Sequence, residues 1–474
     1  SSPADTFSPL SKSPTLARAR TRTNTSLTSH SSASTTRNGI DHPSKPLVDP
    51  ALLPKSNSPT LRLVQCTPAE LLRQQKTNSL AWRGSLSLEQ YLRRESILAN
   101  QDLTRDGGMS FWILTDDNLP RLEGEPWRGH SVAGGGHHDH RPRGDGERIA
   151  LAGCESIRKR AFLRRKGDAD TRVREVVCHG VASVFCPEEF RGRGYAGTMM
   201  RKLSAQLARH QDRLRDGRPV DVACSVLYSD IGREFYARNG GWEPFESRHV
   251  ALPAVPPSSQ IIENATAAFP LTRRLKTEDL PSLCLADETL LRRGMERLRD
   301  LDKDVLAIVP DVQTIMWMHA REDFVCQEIF TRYPEIKGAI VGMGEGKHAW
   351  CYWVRMYYND EIGNTEGNNL YVIRLAVEPG LEGTLEGEVA CAALLQAAQR
   401  EAHGWHMESV VVWNPSEMVQ RAAARALGKK AGEVEVVERE KDSICAMRWY
   451  GAEEKPGAAK ASVQWIANEK FAWC

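Results

Sequence analysis

Apolar and polar positions along the chain follow two periods, and together they lay out two similar series of elements. Folded sequence is expected to begin near Thr60, where Leu61-Arg62-Leu63-Val64 alternates as a strand does. Helical spacing follows over 68–76 and 87–104, then a strand at Phe111-Trp112-Ile113-Leu114. A second hairpin strand is predicted over 149–163, and a further strand over 176–186 ends at Pro187. Met199, Met200, Leu203, Leu207 and Leu214 fall near helical spacing and predict an amphipathic helix over 195–214. A strand over 222–228, a helix over 231–239 and a strand near 245–251 close this half.

Pro253, Pro256, Pro257 and Pro270 mark 253–270 as a linker. Beyond it, helices within 277–332 precede strands near 337–343, 349–358 and 369–377. A helix over 386–403, a strand over 408–413, a helix over 417–427 and a strand over 434–448 follow. From its second strand onward this order matches the first half, so an internal structural repeat without obvious sequence identity is expected. The predicted division is a disordered tail over 1–58, a domain over 59–252, the linker, and a second domain over 271–474. Helices mixed with mostly antiparallel strands place both domains in the α/β (α+β) class.

Composition changes this picture little. A length of 474 residues suits two domains. The tail is rich in Ser and Thr and has no apolar period, so it has too little surface to bury. Its Arg18, Arg20, Arg22 and Arg37, with almost no acid nearby, resemble a mitochondrial transit peptide but lack the apolar face. A cytoplasmic location is expected, with the mitochondrial one as the alternative. A net charge of +2 gives no global attraction to nucleic acid or membrane, and no run approaches the roughly 18 apolar residues of a membrane span. The basic stretch over 158–166 is read as the solvated rim of a hairpin. The 11 cysteines are odd in number and never form C-x-x-C, which points to reduced thiols. His137-His138-Asp139-His140 follows three glycines and is read as a floppy insertion; no metal is expected.

The strongest chemical signal is Val184-Phe185-Cys186-Pro187-Glu188-Glu189-Phe190-Arg191-Gly192-Arg193-Gly194-Tyr195-Ala196-Gly197. A buried strand runs into a Gly-rich turn that opens a long helix. Glycines allow a tight turn and close approach of a phosphate, and the free N–H groups at the helix start hold the anion. Arg191 and Arg193 add charge there.

This stretch resembles the GNAT acetyltransferases, whose signature Arg/Gln-x-x-Gly-x-Gly/Ala is filled by Arg191, Gly194 and Ala196. The resemblance implies acetyl-CoA as co-substrate, with its pyrophosphate on the amides from Arg191 to Gly197. It also implies pantetheine pairing with the backbone of Val184, Phe185 and Cys186, and strand splay beyond Cys186. Phe235-Tyr236-Ala237-Arg238-Asn239-Gly240-Gly241-Trp242 resembles the family's Phe-Tyr-x-x-x-Gly-Phe/Trp, with one extra glycine. Tyr236 is then the acid that protonates the departing thiolate. An attacking amine must lose a proton, and by strand position His179 is the first candidate base, followed by Glu175 and Asp230. The corresponding turn of the second half, Val377-Glu378-Pro379-Gly380-Leu381-Glu382-Gly383-Thr384-Leu385-Glu386, has no arginine and carries glutamates that would repel a pyrophosphate. A GNAT fold followed by a GNAT-like half lacking the CoA motif is expected.

Gly180-Val181-Ala182-Ser183-Val184-Phe185, Leu227-Tyr228-Ser229-Asp230-Ile231-Gly232, Val412-Trp413-Asn414-Pro415 and Trp465-Ile466-Ala467-Asn468-Glu469-Lys470-Phe471-Ala472-Trp473-Cys474 narrow the likeness. They resemble fungal lysine N6-acetyltransferases of lysine catabolism over about 60–474. The implied acceptor is the side-chain amine of free L-lysine, with no nucleic acid or membrane partner. The alternatives are another small amine, a protein lysine, or a non-enzymatic acyl-CoA-binding regulator.

Overall fold

The computed structural model describes residues 47–122, 146–168, 171–213, 217–257, 269–359, 361–451 and 457–473. The His-rich cluster at 137–140 lies outside them, as do residues 1–46. In the first half, strand β1 (Leu61–Gln65) leads through helices α1 (Pro68–Trp82) and α2 (Leu88–Ala99) to β2 (Met109–Asp116). Both helices open with a capping box, Thr67 with Glu70 and Ser87 with Gln90, which satisfies donors that a helix start leaves free. Then come β3 (Ala152–Arg164), β4 (Arg174–Phe185), α3 (Tyr195–Leu207), β5 (Val222–Ser229), the single turn α4 (Phe235–Arg238), β6 (Glu243–Pro244) and β7 (Arg248–Pro253).

The second half runs β8 (Arg273–Leu275), α5 (Leu280–Arg297), β9 (Asp304–Ile308), α6 (Val312–Phe330), β10 (Gly338–Gly342), β11 (His348–Met356) and β12 (Asn369–Val377). It continues with α7 (Leu385–Gly404), β13 (Ser409–Trp413), α8 (Glu417–Ala426), β14 (Val437–Glu438), β15 (Ile444–Trp449), α9 (Ala458–Ser462) and β16 (Val463–Trp465). Within 277–332, expected to be helical, β9 intervenes: Val305-Leu306-Ala307-Ile308 is fully buried against the edge of β3.

Two mixed sheets result. One runs β1-β2-β3-β4-β5-β15-β6 and the other β14-β7-β13-β12-β11-β10-β8. Each has a parallel pair joined by a helical crossover, β4 with β5 across α3 and β12 with β13 across α7, and β16 also pairs parallel with β9 in the first sheet. The halves also exchange their last strands. β7 pairs antiparallel with β13 of the second sheet, while β15 returns to pair with β5 of the first. The boundary expected at 252–271 therefore divides the sequence but not the sheets.

The exchange builds a common core. Ile157, Cys178 and Val226 of the first sheet share one apolar cluster with Trp350, Ile373 and Trp413 of the second, and Ile315 and Met318 of α6 join them. On the far faces, Met199, Met200, Leu203 and Leu207 of α3 cover the first sheet, and Cys391, Leu394, Leu395 and Ala398 of α7 cover the second. Residues 47–58, expected in the tail, pack on the first half instead. Val48 is buried, and Ser56 and Pro54 accept hydrogen bonds from Thr198 and Tyr195 on α3.

Candidate active site

The parallel pairing of β4 with β5 runs from Val177–Val222 to Val181–Leu227 and then stops. Past that point, β4 continues through Ala182 to Phe185 on β3 alone. The two strands thus part five residues earlier than the sequence predicts, which is beyond Cys186. A bulge causes the parting. Between the pairs Glu155–Ala182 and Gly153–Phe185, β4 carries one residue more than β3, and Ser183 sits at a φ of 51°. A serine in the left-handed region is strained, and such strain persists where the surrounding structure holds it. The bulge frees the backbone of Val184 and turns the end of β4 away from its neighbour.

The Gly-rich turn follows directly. Arg191 Nε donates to Cys186 O at 3.0 Å, and its guanidinium lies 5.5 Å from the Phe185 ring centre. Gly192 and Gly194 both have positive φ, 74° and 83°. Gly194 is the N-cap of α3 and offers no side chain to the amides of the first turn. Among the described residues, no acceptor meets the amides of Tyr195, Ala196 and Gly197. An uncapped helix start flanked by two arginines is suited to a doubly charged pyrophosphate. Gly194 has a second reason to be glycine, because a Cβ there would come 2.9 Å from Ser56 Oγ. Gly197 is needed for packing: its Cβ would meet Asn239 Oδ1 of the α4 cap at 2.5 Å. The Tyr195 ring is buried with its hydroxyl on Pro54 O, so only its amide faces the turn. Cys186 keeps its thiol on Leu151 O at 3.4 Å, and burial raises its pKa; it is a packing residue.

Tyr236 on α4 packs against the cluster that holds Cys154, Val181 and Leu227, beside Val184 and Cys186. Its hydroxyl makes no hydrogen bond to any described residue. Burial, reinforced by Asp230, pushes it well above the ordinary phenol range, so it stays protonated. The structure thus gathers the turn, the end of β4 and Tyr236 around one opening.

His179 is not part of that gathering. It lies on the paired portion of β4, opposite Ser225 and Arg158, and is fully buried toward the C-terminal end of α3. Nε2 contacts Gln211 Oε1 at 3.1 Å, and the ring lies 5.5 Å from that of His210. Burial, with His210 nearby, lowers its pKa to about 3. Such an imidazole is a core residue, out of reach of an amine at the opening. Glu175 is bound to Arg160 at 2.8 Å, further still along the strand. Asp230, the third candidate, is exposed just past the free end of β5 and accepts from Ser443 N at 2.9 Å.

The carboxylate at the opening is Glu155, which is not among the candidates read from the sequence. It pairs with Ala182 where β4 leaves β5, and Ser183 Oγ donates to Glu155 Oε1 at 2.8 Å. Burial, then the charge of Glu95, raises its pKa to about 7. A lone glutamate between Cys154 and Ser156 in an otherwise apolar strand start was the available signal.

The second half has the same parting and fills it itself. β12 pairs with β13 only as far as Val372–Val412. Beyond, the C-terminal segment enters: Leu375 N donates to Glu469 Oε2 at 2.9 Å, and Asn414 Nδ2 donates to Asn468 O at 2.7 Å. The turn before α7 is satisfied as well, because Thr384 Oγ1 accepts from Gly387 N at 3.0 Å. Glu386 pairs with Lys347, and Glu388 with Arg421 and Arg425. One first-turn amide is thus already taken, and carboxylates stand where an anion would approach.

Residues 251–474 match the family described as the LYC1 GNAT-like C-terminal domain. These residues, the second half of the chain, are similar to that GNAT-like domain. The uncharacterized protein YGR111W of Saccharomyces cerevisiae is 20% identical over 418 residues, covering 84% of this chain and 93% of its own. A lysine acetyltransferase of Yarrowia lipolytica is 22% identical over 324 residues, covering 62% of this chain and 72% of its own. A GCN5-related N-acetyltransferase from Anabaena variabilis superposes with a TM-score of 0.43 at 12% identity, over 82% of this chain and 72% of that one. The GNAT-like half supports an acyltransferase activity of that type. Among the described residues, no group of His, Cys, Asp or Glu is arranged to hold a metal, and no helix is long and apolar enough to cross a membrane.

Proposed function

We propose that the chain transfers the acetyl group of acetyl-CoA to the side-chain amine of free L-lysine at the opening between β4 and β5. The observation that carries this reading is the parting of these strands after Val181–Leu227, directly beside the uncapped start of α3. Arg191, Arg193 and the amides from Gly192 to Gly197 would hold the pyrophosphate, and the freed backbone of Val184 and Phe185 would pair with the pantetheine arm. Bound there, acetyl-CoA supplies an activated acetyl thioester. The amine nitrogen forms the new C–N bond, and the C–S bond breaks without an acyl-enzyme. Glu155 takes the proton of the amine, directly or through water, and Tyr236 gives one to the departing thiolate. Lysine as acceptor is supported by the name of the Yarrowia relative and by the LYC1-type C-terminal half. Incubation with acetyl-CoA and a panel of amines, with products identified by mass, tests this. Lysine acetylated at N6 supports the reading; preference for another amine or for a protein lysine replaces its acceptor.

A further inference from the structure

The plug that fills the second half carries a buried cation into the space between the halves. Lys470 is 1% exposed, and its Nζ lies 4.2 Å from the ring centres of Trp413 and Trp473 and 4.6 Å from that of Tyr371. Over the same Trp473 ring, the Arg321 guanidinium of α6 lies 5.7 Å from the ring centre. Neither group makes a hydrogen bond or an ion pair with any described residue. Three other buried cations of the second half are paired, Lys337 with Glu322, Arg355 with Glu322 and Glu401, and Arg374 with Asp287 and Glu469, while Arg439, 4.2 Å over Trp413, donates to Arg248 O.

Two unpaired cations sharing one indole face are unfavourable, since each raises the cost of charging the other in a poorly solvated place. Burial, with the charges of Arg439 and Arg321, acts to discharge Lys470 against the opposing pull of Asp230 and Cys445. Aromatic faces offset part of this cost but provide no hydrogen-bond acceptor. The arrangement is complete only with an anion between the two groups.

That position borders the catalytic opening. Trp413, against which Lys470 lies, has its ring centre 5.7 Å from that of Tyr228, the residue after Leu227 on β5. Tyr358, within electrostatic reach of Arg321, keeps 47% of its surface open. The acyl-CoA phosphates are accounted for at the other end, at the start of α3.

We propose that Arg321 and Lys470 form a receptor for the carboxylate of the acceptor, so that the enzyme acts on free amino acids and not on amines lacking that group. This rests on the reading of the chain as an amine acyltransferase. It gives the C-terminal segment two roles, closing the second half and selecting substrate for the first.

L-lysine and L-lysinamide test it, because they carry the same two amines and differ only in the carboxylate. With the full chain, kcat/KM for acetyl transfer and binding by calorimetry are measured for both compounds in the wild type, Lys470→Met and Arg321→Gln. Removing either charge-assisted partner of the carboxylate should weaken lysine about tenfold or more. The wild type should prefer lysine at least tenfold, and either variant should bring the ratio toward one. Acetyl-CoA binding reports folding of each variant, and two variants in different elements guard against failure of one. A wild type that does not bind lysine, that treats the two compounds alike, or whose preference survives in both folded variants overturns the receptor. Absent turnover with carboxylate-dependent binding that both variants abolish would instead overturn the transferase reading and leave the receptor standing.

Discussion

Ser183 Oγ donates a 2.8 Å hydrogen bond to Glu155 Oε1 across the bulge at which β4 leaves β5. The contact ties the strained residue that opens the site to the carboxylate that faces it. One carboxylate oxygen is held, and the other is left to take a proton.

The first prediction concerns this carboxylate. A base acts only when ionised, so kcat/KM should rise with pH through about 7 and level off above it. Glu155→Gln should lower kcat/KM by roughly 10²–10⁴-fold and abolish that limb. Stability should move the other way. The folded pKa of about 7 lies above the ordinary 4.5, so ionising Glu155 disfavours the folded state, and its contribution disappears as pH rises through that window. Glu155→Gln should therefore melt above the wild type at pH 8 but not at pH 4. A rate-versus-pH profile identical to the wild type's would remove Glu155 from the mechanism.

Binding of the co-substrate should depend on the turn. Arg191→Ala removes a charge-assisted contact of about 1.5–3 kcal/mol, weakening acetyl-CoA at least tenfold by calorimetry. Gly194→Val should be worse, because a φ of 83° and Ser56 Oγ at 2.9 Å both exclude a side chain. Unchanged affinity in both variants would place the pyrophosphate elsewhere.

Tyr236→Phe keeps the packing and removes the proton. It should lower kcat by roughly 10²–10⁴-fold while KM for acetyl-CoA changes little. Normal kcat with intact cofactor affinity would show that another group is the acid.

The plug should hold the second half closed. Glu469→Ala leaves Leu375 N without its acceptor and Arg374 with Asp287 alone. Breaking one arm of such a buried network costs about 3 kcal/mol, read as a lower midpoint in denaturant. The wild type should bind one acetyl-CoA per chain; two equivalent sites by titration would contradict the filled opening.

Much of the site was legible because its chemistry is local. Arg191 to Gly197 form a strand-turn-helix within a few residues, and Tyr236 lies in a short motif of its own. The acidic turn near Glu386 is likewise local, and its glutamates pair with Lys347, Arg421 and Arg425. The strand exchange was not legible, since β7 and β15 are short apolar strands whose partners lie more than 150 residues away. His179 was misplaced because a strand position does not reveal which part of the strand is paired; pairing ends two residues later, at Val181. Glu155 escaped because only the bulge at Ser183, a feature of register between strands, brings it to the opening.

Amine-dependent acyl transfer at the β4–β5 opening is read out by thiol release from acetyl-CoA. Free thiol should appear only when an amine such as L-lysine is added, in a one-to-one ratio with acetylated product, and Glu155→Gln and Tyr236→Phe should each suppress it. Tight acetyl-CoA binding with no thiol released by any amine would contradict the account and make the chain a binding protein.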